Sequence, residues 1–187
     1  ISPMRINNGV SFLERFLQEF EKAEQEFGVP KEIIAAIIGI ESSYGSITGR
    51  ERVIDSLSTL AFDYPRRSKF FTKQLEHFLL LSREEELDPL VMKGSYAGAM
   101  GYDQFIPSSY RSYAIDFDDD GIRNIVTNPI DAIGSVANYL NRHGWERNTT
   151  IAEALTKNDV NSNFKTSLSL KEPDALELAS KINLPNK

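Results

Sequence analysis

The sequence predicts a mostly α fold. Apolar residues recur at helical spacing over several long stretches, no segment shows convincing strand alternation, and helix start and stop signals bracket the stretches. With 187 residues, the chain suits one compact domain or a domain with a small appendage.

Taken in order, Ile1–Val10 reads as a loop-like lead. Ser11-Phe-Leu-Glu14 is a capping-box pattern, and a helix should follow with Leu13, Phe16, Leu17, Phe20, Ala23 and Phe27 on one face. Gly28 stops it. The stretch Pro30–Gly45, PKEIIAAIIGIESSYG, reads as the next helix, opened by Pro30 at its first position and closed by Gly45. A polar connection at 46–52 leads to a short helix over Val53–Phe62 using Ile54, Leu57 and Leu60. Asp63-Tyr-Pro65 breaks it. A long helix then covers Pro65–Glu86, with Phe70, Phe71, Leu75, Phe78 and Leu79 inward, and Asp88-Pro89 ends it. Leu90–Gln104 has no clean period; its glycines allow close backbone approach or positive φ, as an ordinary Gly-rich connection also would. Pro107 starts a short helix through Tyr113. Asn128 caps a last clear helix with Pro129 at its first position and Ile133, Val136, Ala137 and Leu140 inside. After Trp145 the composition shifts to Asn, Ser and Lys, with short helices expected near Ile151–Lys157 and Pro173–Ile182.

Within the Pro30–Gly45 helix, Ile33, Ile34, Ile37 and Ile38 form an apolar stripe, and Glu41 extends it, seven residues after Ile34 and four after Ile37. A carboxyl group there is expected to be buried, to hold its proton more tightly, and so to serve as a general acid and base. The alternative is a structural acid satisfied locally by Ser42, Ser43 and Tyr44.

The formal charge of −6 disfavours a general nucleic-acid binder. Without cysteine there is neither a disulfide framework nor a thiolate metal site. The longest apolar run, Ile33–Ile40, falls far short of the roughly 20 residues that span a bilayer. No signal peptide is visible, and a start at Ile1 rather than Met is what a processed or trimmed form would show.

Asp116-Phe-Asp118-Asp-Asp120-Gly121-Ile122 matches the first half of an EF-hand-like calcium loop: carboxylates at positions 1, 3 and 5, a turn glycine at 6 and a backbone carbonyl, that of Ile122, at 7. Thr127 stands where the closing Glu belongs, and Asp131 is the nearest substitute. An acidic surface turn without an ion is the other reading. With one loop and three Met residues, a structural Ca2+ fits better than a switch.

Five stretches together, GVPKEIIAAIIGIESSYG, DSLSTLAFDYPRR, KGSYAGAMGYDQFIPSSY, DFDDDG and NPIDAIGSVANYLNRHGW, resemble in order the bacterial membrane-bound lytic transglycosylase B family over roughly Asn8 to Trp145. The resemblance implies a lysozyme-like helical domain over 1–145 and a tail over 146–187. It implies cleavage of the β-1,4 bond between N-acetylmuramic acid and N-acetylglucosamine, with Glu41 as the one catalytic carboxylate. It further implies Ser95 and Gln104 as sugar-binding residues, Arg66 and Arg67 as a pair meeting the peptide stem, and Tyr139 as an aromatic lining the cleft. Asp116, Asp118, Asp120, the Ile122 carbonyl and Asp131 match the family's calcium loop; no cofactor is implied for the chemistry. The partners implied are peptidoglycan glycan strands, not nucleic acid, for a monomer in the periplasm of the bacterial envelope, with any lipid tether to the outer membrane outside this chain.

Three departures stand out. Asp103 replaces a usually small residue just before Gln104, an upstream groove aromatic is missing, and the tail lacks the family's closing motif. These keep two rivals open: a hydrolytic muramidase with Asp103 or another acid activating water, and a non-catalytic calcium-dependent glycan-binding module.

Overall fold

Helix formation begins earlier than the sequence suggests. The computed structural model describes residues 2–148, and its first helix, α1, spans Pro3–Arg15. Ser2 caps it by accepting from the Arg5 N–H, and Pro3 takes the first helical position, where its missing donor costs nothing. The expected loop over Ile1–Val10 is therefore helical from Pro3, and the Ser11–Glu14 box lies inside α1. A break at Phe16 (φ −118°, ψ 34°) separates α1 from α2, Leu17–Phe27, so the single expected helix face is divided between two helices. Gly28 stops α2 in the left-handed conformation.

Helix α3 spans Lys31–Ser42, with Pro30 as its N-cap rather than its first residue. Helix α4 covers Val53–Phe62, as expected. Helix α5 covers Ser68–Glu84, shorter at both ends than expected; Leu79 is 48% exposed, and Leu81 is the residue buried instead. Two short strands, β1 at Glu51–Arg52 and β2 at Lys93–Gly94, pair antiparallel. Helices α6, Pro107–Tyr113, and α7, Pro129–Arg142, follow the Pro signals, and the Asn128 side chain accepts from the Ile130 N–H. The helices expected near Ile151–Lys157 and Pro173–Ile182 lie outside the described residues.

The buried residues form two clusters. One joins α4, α5, α6 and the glycine-rich loop through Leu57, Phe78, Leu81, Met100, Tyr110 and Ile125. The other joins α1, α2, α3 and α7 through Phe20, Ile34, Ile38, Ile133 and Val136. Each such side chain contributes about 1.5–3 kcal/mol of transfer free energy. Helix α7 serves both, with Ala132 in one cluster and Ile133 in the other, and Tyr102 packs against both. The loop carrying Tyr102, Asp103 and Gln104 thus sits at the seam between the cores.

The end of α7 folds back over α2. Asn141 Nδ2, Trp145 Nε1 and an Arg147 guanidinium nitrogen donate to the carbonyls of Phe27, Gly28 and Gln25, which the helix itself leaves unpaired.

Candidate active site

Glu41 occupies the last turn of α3 and is exposed, not buried as its spacing suggests. The buried face runs through Ile34, Ala35, Ile38, Gly39 and Ser42, so its centre leans toward the small residues. Glu41 falls about a quarter-turn from that centre. No ion pair among the described residues involves it.

The helix end that carries Glu41 is tightly held. The buried Ser42 hydroxyl donates to the Ile38 carbonyl and accepts from the Gly45 N–H, while the Ile47 N–H donates to the Ser42 carbonyl. Ser43, Tyr44 and Gly45 are all left-handed, so the chain leaves α3 in a sharp turn that begins two residues before the expected Gly45. The Tyr44 hydroxyl donates to the Arg5 carbonyl and its ring lies 5.4 Å from that of Phe12, which ties the turn to α1.

The glycine-rich loop lies against this turn. Gly49 (φ 100°) passes so close to the Gly94 carbonyl that a side chain at 49 would collide with backbone. The Ser95 hydroxyl oxygen accepts from the Ala97 and Ala99 N–H groups, and Gln104, itself left-handed, donates from Nε2 to the Thr48 carbonyl (3.2 Å) and the Gly101 carbonyl (2.9 Å). Both side chains therefore hold the loop, and no hydrogen bond among the described residues uses the Ser95 O–H or the Gln104 Oε1. Thr48 did not stand out in the sequence, because its contribution is a backbone carbonyl.

Asp103 is 4% exposed, and neither of its oxygens has a hydrogen-bond partner among the described residues. Burial, then the charges of Asp131 and Glu41, push its carboxyl well above the usual range. Glu41 thus stands near enough for its charge to be felt at Asp103.

Tyr139 is half-buried in an aromatic group, 5.4 Å from Phe105, 5.1 Å from Tyr113 and 4.1 Å from His143. Phe105 follows Gln104, which brings Tyr139 to the edge of the loop. Arg66 and Arg67 are exposed on the turn between α4 and α5, where the Arg67 guanidinium lies over the Phe70 ring at 4.3 Å. No hydrogen bond among the described residues joins either arginine to Glu41, Ser95 or Gln104.

Asp116, Asp118 and Asp120 converge, each with a carboxylate oxygen within 4.8 Å of the others. Hard oxygen donors in a turn suit Ca2+. Asp131 is fully buried and stands outside that trio: its oxygens accept from the Phe117 and Asn124 N–H groups at 2.8 and 2.7 Å. Burial raises its carboxyl above the usual range, and those two amides pull it back. An open cavity of about 510 Å³ flanks the acidic loop, lined by Lys22, Glu26, Phe27 and Asn138 among others, and does not include Glu41.

The sequence pattern of the transglycosylase SLT domain matches residues 1–183. The chain belongs to the transglycosylase SLT domain family. It is 45% identical to the membrane-bound lytic murein transglycosylase B of Escherichia coli (strain K12), over all of this chain and 52% of that protein. The crystal structure of the Escherichia coli lytic transglycosylase Slt35 in complex with calcium superposes with a TM-score of 0.78 at 51% identity, covering 80% of this chain and 48% of that one. Pseudomonas aeruginosa SltB3 in complex with NAG-anhNAM-pentapeptide superposes with a TM-score of 0.76 at 39% identity, covering 79% and 39%. This SLT-family chain shares their lysozyme-like helical fold, and it spans about half the length of the curated relative it matches. Among the described residues no helix is long and apolar enough to cross a membrane.

Proposed function

We propose that this chain is a lytic transglycosylase that cuts peptidoglycan glycan strands between N-acetylmuramic acid and N-acetylglucosamine. The observation that carries the reading is the position of Glu41: an acid without an ion-pair partner among the described residues, fixed at the end of α3 beside a loop of neutral hydrogen-bonding groups. The chain's kinship to a lytic murein transglycosylase supports it. So does the anhydro-muramyl ligand of the SltB3 relative, which is the product class this reaction makes.

Most glycosidases use two carboxyl groups. Here Glu41, protonated, gives its proton to the glycosidic oxygen as the bond to C1 of the muramic residue breaks. The muramic N-acetyl group stabilises the positive charge at C1. Glu41, now a carboxylate, takes the proton of the C6 hydroxyl, and that oxygen closes on C1 to form the 1,6-anhydro ring without consuming water. Because Glu41 is exposed, the dry surroundings that strengthen such proton transfers come from the strand laid over it. Ser95 and Gln104 hold hydroxyl and acetamido groups, Tyr139 lines the cleft, and Arg66 and Arg67 meet stem-peptide carboxylates. Asp116, Asp118, Asp120 and the Ile122 carbonyl hold a structural Ca2+, while Asp131, expected to close the site, instead braces the loop from α7 by accepting from the Phe117 and Asn124 N–H groups. The enzyme works in the periplasm, its catalytic unit being residues 1–145.

The hydrolytic alternative needs a base, and a buried Asp103 that holds its proton is poorly placed to activate water in an open groove. Mass spectrometry of fragments from purified sacculi separates the two: lytic products are lighter by one water. Glu41→Gln should lower release by about 10²–10⁴-fold, the usual worth of acid–base help, with an unchanged Tm. Water-containing products, or a fully active Glu41→Gln protein, would overturn the reading.

A further inference from the structure

The end of α7 carries a ring stack that its own termination does not require. The His143 imidazole lies on the Tyr139 ring, with centroids 4.1 Å apart and planes 29° apart. Its Nδ1 donates to the Tyr139 carbonyl at 2.7 Å; a carbonyl only accepts, so that nitrogen carries the hydrogen. Tyr113, the last residue of α6, meets Tyr139 edge-on at 5.1 Å and His143 at 4.9 Å, and Phe105 meets Tyr139 at 5.4 Å. Ending the helix does not explain the imidazole. The His143 backbone N–H already donates to the Tyr139, Leu140 and Asn141 carbonyls, which any residue but proline could do. Burial does not explain it either, because His143 is exposed and Tyr139 only half-buried. What the imidazole adds is a fixed orientation for Tyr139. That ring adjoins the glycine-rich loop, since Phe105 follows Gln104 and its carbonyl accepts from the Met100 N–H. The Tyr139 hydroxyl makes no hydrogen bond among the described residues and is open to solvent.

We propose that His143 is a positioning residue for Tyr139: its stacked ring and its Nδ1 hydrogen bond set the Tyr139 ring before a glycan strand arrives, so that the hydroxyl and the uncovered edge meet a sugar. A side chain fixed in advance loses less freedom on binding, and the gain appears as affinity. The proposal rests on the lytic reading, in which Tyr139 lines the cleft. It gives His143 no contact with the reacting atoms, so its effect falls on strand binding and not on proton transfer by Glu41.

The test is a double-substitution cycle read as KM and kcat for release of soluble fragments from sacculi. His143→Ala should raise KM about 3- to 10-fold, the worth of one aromatic pair, with kcat little changed. His143→Phe, which keeps a ring to stack, should recover most of that loss. Tyr139→Leu should raise KM at least as far, and adding His143→Ala to it should change nothing more. A His143→Ala protein with the wild-type KM would overturn the proposal. So would a His143→Phe protein as weak as His143→Ala, or a second loss of full size in the Tyr139→Leu background. A further readout needs no activity. In the wild type the Tyr139 ring current should move the His143 ring protons upfield in the NMR spectrum, and Tyr139→Leu should abolish that displacement; unmoved protons refute the stack. If the wild type releases nothing from sacculi, the lytic reading fails, while the NMR displacement still decides whether His143 holds Tyr139.

Discussion

Asp103 makes a statement about stability that can be checked without any substrate. Its folded-state carboxyl is pushed above the value of an unfolded aspartate, first by burial and then by Asp131 and Glu41. The folded protein therefore binds the proton more tightly than the unfolded chain. Raising the pH above about 3.9, where the unfolded residue ionises, favours unfolding until the folded value is passed. Asp103→Asn removes this dependence. Its Tm should exceed the wild type's by a margin that is small near pH 4 and widens toward neutral pH. Parallel Tm curves for the two proteins would show that the carboxyl titrates as in an unfolded chain. Where a chain keeps such a cost, function is the natural place to look for compensation.

Among the elements, the end of α3 matters most. Ser42 makes two hydrogen bonds with one buried hydroxyl, and Ser42→Ala would leave the Gly45 N–H and the Ile38 carbonyl without those partners. A loss of about 1–3 kcal/mol in urea unfolding is expected, with a larger relative loss of activity because Glu41 sits one residue away; an unchanged unfolding midpoint would mean that water replaces the hydroxyl freely. How far these elements could be read from the chain differs with the type of signal. Helix α7 was legible because Asn128 and Pro129 are adjacent and local, and the acidic loop because its spacing is local too. Helix α1 was not: Asn7, Asn8 and Gly9 are weak helix formers, and packing of this helix on α3 and the Tyr44 turn holds them. The break at Phe16 is silent because Phe12, Phe16 and Phe20 keep the helical period across it. Glu41 lies in a different setting from the one its spacing suggests, exposed rather than buried. The spacings through Ile37 and through Ile38 differ by only about a quarter-turn, and the small residues Ala35 and Gly39 decide between them. The burial of Asp103 depends on segments far apart in the chain, which no local pattern reports.

For the whole molecule, the acidic loop is the expected thermodynamic handle. It is tied to α5: Arg123 pairs with Glu85, Arg111 grips Glu84 at 2.6 and 2.8 Å, and the Tyr110 hydroxyl donates to the Arg123 carbonyl. Filling the trio of aspartates should therefore steady the core as well as the loop. Ca2+ at a hundredfold excess over its Kd should stabilise the fold by about 2.7 kcal/mol, or roughly 5–10 °C in Tm, and Asp118→Ala should abolish the shift. A Tm indifferent to Ca2+ and to chelator would show that the turn holds no ion.

The clasp formed by Asn141, Trp145 and Arg147 bears on how the unit comes apart. It fastens residues more than a hundred positions apart, so α2 cannot peel away while the end of α7 stays in place. Hydrogen exchange should accordingly find these two segments opening together, as one cooperative block rather than as two fraying ends.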